Sequence, residues 1–118
     1  MRCLMIIERG DVVLTDLEPV KGSEQGKMRP CLVIQNNIGN ANSSTTIVAS
    51  ITSHTEKQYP FTVLVNAGEG NLPKDSLVQC NQIRTISKEH RILQKLGSLS
   101  PETMKKVNEA LKTSFALD

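Results

Sequence analysis

The chain is poor in aromatic surface. It has no tryptophan, one tyrosine and two phenylalanines among 118 residues. Modules that hold nucleic acid by base stacking present several exposed rings, so a platform of the RNA-recognition or OB type is not expected. Cysteine is equally sparse. Cys3, Cys31 and Cys80 stand singly, and the absence of any Cys-x-x-Cys pair argues against a disulfide framework or a zinc site. Cys31 and Cys80 lie in apolar runs and read as small buried hydrophobes. No apolar run approaches the roughly 20 residues that cross a bilayer. The N-terminus, Met1 to Glu8, is too short and too soon charged for a secretory signal, so no membrane association is expected and the cytoplasm is the default. Charge of one sign is also missing: 14 Lys and Arg against 12 Asp and Glu leave a net charge of +2, unlike a general duplex-DNA binder. There is no phosphate-cradling P-loop, no Gly-x-Gly-x-x-Gly after a strand, no nucleophile elbow and no cluster of histidine and carboxylate. No cofactor and no metal are expected.

The most telling segment that is present runs Gly22-Ser23-Glu24-Gln25-Gly26-Lys27-Met28-Arg29-Pro30. It is a polar, glycine-flanked loop that ends on an arginine fixed against a proline. A residue before proline is driven toward extended backbone, which places Arg29 at the mouth of the next strand. Lys21, Lys27 and Arg29 face a single acid, Glu24, in this loop. Such a local cation patch suits a small or single-stranded anionic ligand, and arginine is the usual partner of phosphate.

Around that loop the chain reads as a single domain, 1–118, of short strands. Met5 offers an alternative start, which would make residues 1–4 an extension. Strands are expected at Val12 to Leu14, Cys31 to Ile34, Thr45 to Ser53, Phe61 to Val65, Leu77 to Ile86 and Leu93 to Leu99. Gln35 to Ser44 has the composition of a loop. Met104, Val107, Leu111 and Phe115 recur at helical spacing behind Ser100, a favoured N-cap, and Pro101, at the first helical position. The expected fold is mainly β with a C-terminal helix, a small curved sheet or partly open barrel with the helix packed on it.

Several polar residues fall at strand ends. Thr52 and Ser53 close the third strand, where a hydroxyl is well placed to donate to a phosphate oxygen, and alternation sets Ile51 inward with Ser50 and Thr52 opposite. His54 follows, a candidate for acid–base work; His90, in a charged turn, is a weaker one. Asn81-Gln82-Ile83-Arg84-Thr85 interrupts a strand with polar groups; its amides suit base edges, and Arg84 suits a phosphate.

In order and spacing, these segments resemble the MazF/PemK family of toxin endoribonucleases. The matching words are Arg9-Gly10-Asp11-Val12-Val13, Gly22 to Gly26 leading to Arg29-Pro30, Val33-Ile34-Gln35-Asn36, Ile47 to Thr52, Asp75-Ser76 and Gln82 to Ile86. The resemblance runs from about Met5 to Leu117. It implies an SH3-like curved β barrel of the MazF, PemK and CcdB type, a homodimer, and metal-independent cleavage of single-stranded RNA at a short sequence. By the same resemblance Arg29 is the main catalytic residue and Thr52 its partner. Ser23, Glu24, Gln25 and Lys27 belong to a loop that borders the RNA, with Ser53, His54, Asn81 and Gln82 as further RNA contacts. The partner it implies is an antitoxin whose acidic tail blocks the groove.

The chemistry of the residues agrees. RNA carries its own nucleophile, the 2′-hydroxyl, so the protein must take up that proton, steady the phosphorane and protonate the leaving 5′-oxygen. Arg29 offers paired donors to the equatorial oxygens, and Thr52 one more. An arginine side chain is protonated at working pH, so proton transfer sits awkwardly on it. Some relatives carry a carboxylate where this chain has Asn81; Arg29, His54 or water remain as acceptors. Two other readings keep the fold: a toxin that binds and poisons a topoisomerase through its C-terminal residues, and a non-catalytic SH3-like binding module.

Overall fold

A computed structural model of the protein describes residues 6–19, 21–24 and 27–117. Cys3, the Met5 start and Gln25 lie outside the described residues. The elements are β1 (Asp11–Asp16), β2 (Met28–Val33), α1 (Asn37–Asn42), β3 (Thr45–Thr52), β4 (Thr62–Val65), a 3-10 turn (Glu69–Asn71), β5 (Ser76–Ser87), α2 (Lys88–Arg91), β6 (Ile92–Ser98) and α3 (Pro101–Ser114). All strand pairs are antiparallel, and the six strands form one sheet in the order β4-β5-β3-β2-β1-β6.

That order is open. β4 and β6 are its two edges and do not pair with each other among the described residues, so the barrel implied by the resemblance is corrected to an unclosed sheet. The 3-10 turn packs on β6 and β1, and α3 packs on β4 and β5; these two elements fill the face between the edges.

Strand alternation divides the core between the two faces. Val12, Leu32, Ala49, Ile51, Val78 and Cys80 point to one side, where Val107 and Ala110 of α3 cover them. Val13, Cys31, Val33, Val48, Ile86 and Ile92 form a second cluster on the other side. The helix has the expected start: the Ser100 hydroxyl accepts from the Thr103 amide at 3.1 Å, with Pro101 in the first turn. Its buried stripe is Val107 and Ala110, with Met104 and Leu111 packed beside them. Phe115 was expected in that stripe but lies at the helix C-cap, 52% exposed.

The segment read as a loop after β2 contains α1. Its residues are poor helix formers, and the turn is held by hydrogen bonds instead. Asn36 caps it by accepting from the Gly39 amide at 2.8 Å. Asn40, 4% exposed, accepts from the Thr46 hydroxyl at 2.7 Å and donates to the Gln35 carbonyl at 2.9 Å. The charged turn at His90 is likewise a short helix, α2, with an exposed His90.

The Arg9-Gly10-Asp11 word is a joint between layers. Arg9 donates to the Ile34 carbonyl at 2.9 Å and to Asn108 of α3 at 2.8 Å. Asp11, nearly buried, accepts from the Glu8 amide at 2.8 Å and pairs with Lys95 of β6 at 3.3 Å.

Candidate active site

Arg29 is the second residue of β2, opposite Thr15 of β1, at the mouth of the strand as expected. On its other side β2 pairs with β3, Cys31 facing Ser50 and Leu32 facing Ala49. Continued by two residues, that register brings Arg29 opposite Thr52, and both side chains line one cleft of about 480 Å³. Ser53, His54, Leu72, Pro73, Lys74 and Ser76 line it as well. Lys74 adds a second cation that the strand pattern did not single out; its signal in the sequence was a lysine after proline in a turn-rich stretch.

Thr52, which lines this cleft, is 8% exposed. Its hydroxyl oxygen accepts from the His54 amide at 3.2 Å. A hydroxyl that accepts from the backbone keeps its own proton to donate, and here it can donate toward the space beside Arg29.

The polar interruption in β5 proves to be a bulge. Ser50 faces Gln79 while Ala49 faces Ile83, so residues 80–82 have no opposite number in β3. A bulge re-aims side chains beside a site. Asn81 is turned into a cleft that it shares with Thr52 and His54, whereas Gln82 lines another of about 230 Å³ with Leu17, Glu24, Cys31, Ser50 and Arg84. Arg84 donates to the Leu17 carbonyl, a backbone contact that the expected phosphate role did not foresee. Of the loop residues, Glu24 thus reaches a cleft, while Ser23 and Lys27 are exposed and line none of these three. Lys27 holds the loop shut at its base: its amide donates to the Glu18 carboxylate at 2.7 Å, and its carbonyl accepts from the Leu17 amide at 3.0 Å.

Burial pushes the thiols of Cys31 and Cys80 up from 9.0 to about 11. They are inert core side chains, as their apolar runs implied. Among the described residues, no group of three or more His, Cys, Asp or Glu side chains is placed to hold a metal ion, and no helix is long and apolar enough to cross a membrane.

The sequence profile of the PemK-like, MazF-like toxins of type II toxin–antitoxin systems matches residues 8–115. The chain belongs to this family. Endoribonuclease EndoA of Bacillus subtilis (strain 168) is 50% identical over 114 residues, 96% of this chain and 97% of its own. Endoribonuclease MazF of Staphylococcus saprophyticus is 46% identical over 113 residues, 95% of this chain and 93% of its own. Among solved structures, an endoribonuclease from a mycobacterial species in complex with its cognate antitoxin superposes with a TM-score of 0.78 at 27% identity, over 95% of this chain and 97% of that one. MazF of Deinococcus radiodurans has the same fold, with a TM-score of 0.80 over 96% of this chain and 99% of that one. This MazF/PemK-family chain is an endoribonuclease toxin.

Proposed function

We infer that this toxin cleaves single-stranded RNA at a short sequence in the cleft that Arg29 and Thr52 share, within one domain spanning 1–118. The observation that carries the reading is that shared cleft: a β2 guanidinium and a β3 hydroxyl converge on one space. A scissile phosphate there meets two donors. The 2′-oxygen of the preceding ribose forms a bond to phosphorus and gives up its proton, the bond to the 5′-oxygen breaks, and that oxygen takes a proton. Arg29 neutralises the charge gathering on the equatorial oxygens, and Thr52 donates to one of them. Neither step calls for a metal, because the substrate supplies the nucleophile. Among the side chains that line the cleft with Arg29 is His54, and imidazole is the side chain suited to proton exchange near neutral pH. Asn81 opens onto the neighbouring cleft, and its amide is not basic enough to take up a proton.

The remaining assignments follow the family. Ser23, Glu24, Gln25 and Lys27 are assigned to RNA binding, as are Ser53 and Gln82. The working unit is a homodimer in the cytoplasm, and its partner is a cognate antitoxin that covers the cleft. The test is incubation of the pure protein with a long single-stranded RNA in EDTA. Discrete cuts by the wild type and loss of at least 100-fold in rate for Arg29→Ala are expected. Intact RNA with the wild type would favour a topoisomerase-directed or purely binding toxin, and wild-type cleavage by Arg29→Ala would overturn the assignment of Arg29.

A further inference from the structure

Thr52 is a wall between two clefts. On one side is the cleft with Arg29. On the other is an opening of about 580 Å³ under the connection from β3 to β4, lined by Thr52, His54, Tyr59, Phe61, Gln79 and Asn81, among others. Two of the chain's three aromatic rings meet in this second wall. Tyr59 and Phe61 are stacked with centroids 5.0 Å apart and planes 8° apart. Phe61 packs on the core, while Tyr59 is 49% exposed. The backbone of Tyr59 is pinned as well: the Thr62 hydroxyl accepts from its amide and donates to its carbonyl, both at 2.9 Å. An exposed ring braced from behind has little freedom left to lose when a planar ligand stacks on it.

The polar side of this cleft includes Asn81, which presents an exposed amide from the β5 bulge. A held ring beside an exposed side-chain amide is a combination that suits an unstacked base, which needs a face to lie on and a partner for its edge.

We propose that this cleft is a nucleobase subsite of the RNA site: one base close to the scissile phosphate stacks on Tyr59, and its edge meets the exposed amide of Asn81. The proposal rests on the assignment of cleavage to Arg29 and Thr52, because Thr52 links the two clefts. It also answers how a chain so poor in aromatics selects a nucleotide: one backed ring serves where a broad platform is missing.

The experiment uses an oligoribonucleotide that the wild type cuts once, and a set in which one base at a time near the cut is replaced by hydrogen. The value of kcat/KM is measured for wild type, Tyr59→Ala and Tyr59→Phe. At one position, loss of the base is expected to slow the wild type about tenfold or more, the range for one base–ring stack. Tyr59→Ala should cut the intact strand about tenfold less efficiently, mainly through KM, and should lose no more than about twofold further at that position, the mark of coupled partners. Tyr59→Phe, which keeps the ring, should behave as wild type. Tyr59→Leu carries the same expectation as Tyr59→Ala should the alanine variant be unstable. Wild-type efficiency in a ringless variant, or losses that multiply at every position, would overturn the subsite. Failure of the underlying assignment shows separately, as cleavage by Arg29→Ala at the wild-type rate.

Discussion

Arg84 of β5 donates a hydrogen bond to the backbone carbonyl of Leu17, where the chain leaves β1. Arg91 adds donors to the carbonyls of Asp16 and Glu18. Three successive carbonyls at the root of the β1–β2 loop are thus held by two guanidinium groups from the opposite end of the chain. A hydrogen bond to a charged group contributes about 1.5–3 kcal/mol, enough to decide whether the loop root stays in place. Arg84→Met is expected to leave the folded sheet intact, to speed proteolytic nicking between Pro19 and Lys27, and to raise KM for RNA about tenfold with a smaller change in kcat. Steady-state kinetics and limited proteolysis check it; a drop in kcat with KM and nicking unchanged would place Arg84 at the chemistry instead.

His54 has two roles that kinetics can separate. Its backbone amide orients the Thr52 hydroxyl, a contact that any residue other than proline retains. The residue also lines the Arg29 cleft. If the ring exchanges the proton, His54→Ala lowers kcat by about 100-fold or more with KM little changed. If the ring only touches RNA, KM rises and kcat holds. Single-turnover rates at saturating RNA distinguish the two, and the first outcome is the one expected.

The strands were legible because they obey local rules. Val12-Val13, Cys31 to Val33 and Ile47 to Thr52 carry β-branched and apolar runs with turn residues around them, and Ser100-Pro101 announces α3. Arg29 and Thr52 were legible as types at strand ends, and their meeting follows from the antiparallel register of β2 and β3. What stayed hidden depends on residues distant in the chain. α1 is stabilised by Asn40 bonding to Thr46 and receiving the Lys88 ammonium at its carbonyl, which composition does not reveal. Arg84 reads as a phosphate ligand until Leu17, 67 residues away, is found against it. The stacking of Tyr59 on Phe61 is likewise a product of the fold. The open sheet order is a property of which edges the 3-10 turn and α3 cover, and no local pattern encodes that.

Gly97 of β6 and Gly70 of the 3-10 turn pack backbone against backbone. A Cβ added at Gly97 would stand 2.8 Å from the Gly70 carbonyl carbon and 2.9 Å from its oxygen. Backbone cannot yield as a flexible side chain does. Gly97→Ala is therefore expected to destabilise the protein by about 2–3 kcal/mol, in the range of overpacked core substitutions, by prising the turn from β6. Denaturant unfolding measures it, with Gly68→Ala as the comparison. Gly68 has φ of 97° but open space around its Cβ position, so that variant reports the backbone conformation alone.

The two buried thiols make stability fall at alkaline pH in a defined window. Cys31 and Cys80 are both pushed up to about 11 in the folded protein, chiefly by burial, against 9.0 for the exposed group. As pH rises past 9, the unfolded chain releases these protons first and the folded chain does not, so each thiol favours unfolding increasingly until the folded groups titrate near 11. The loss amounts to about 2 kcal/mol per thiol at the end of that window. Urea midpoints measured at pH 8, 9, 10 and 11 should fall over the last two intervals, and should fall less in Cys80→Ala once its lower starting stability is subtracted. The same burial predicts that neither thiol is alkylated at pH 8 faster than the protein unfolds. Rapid labelling of Cys31 or Cys80 in the native protein, identified by peptide mapping, would show that the strand around it opens far more readily than the buried core of this sheet implies.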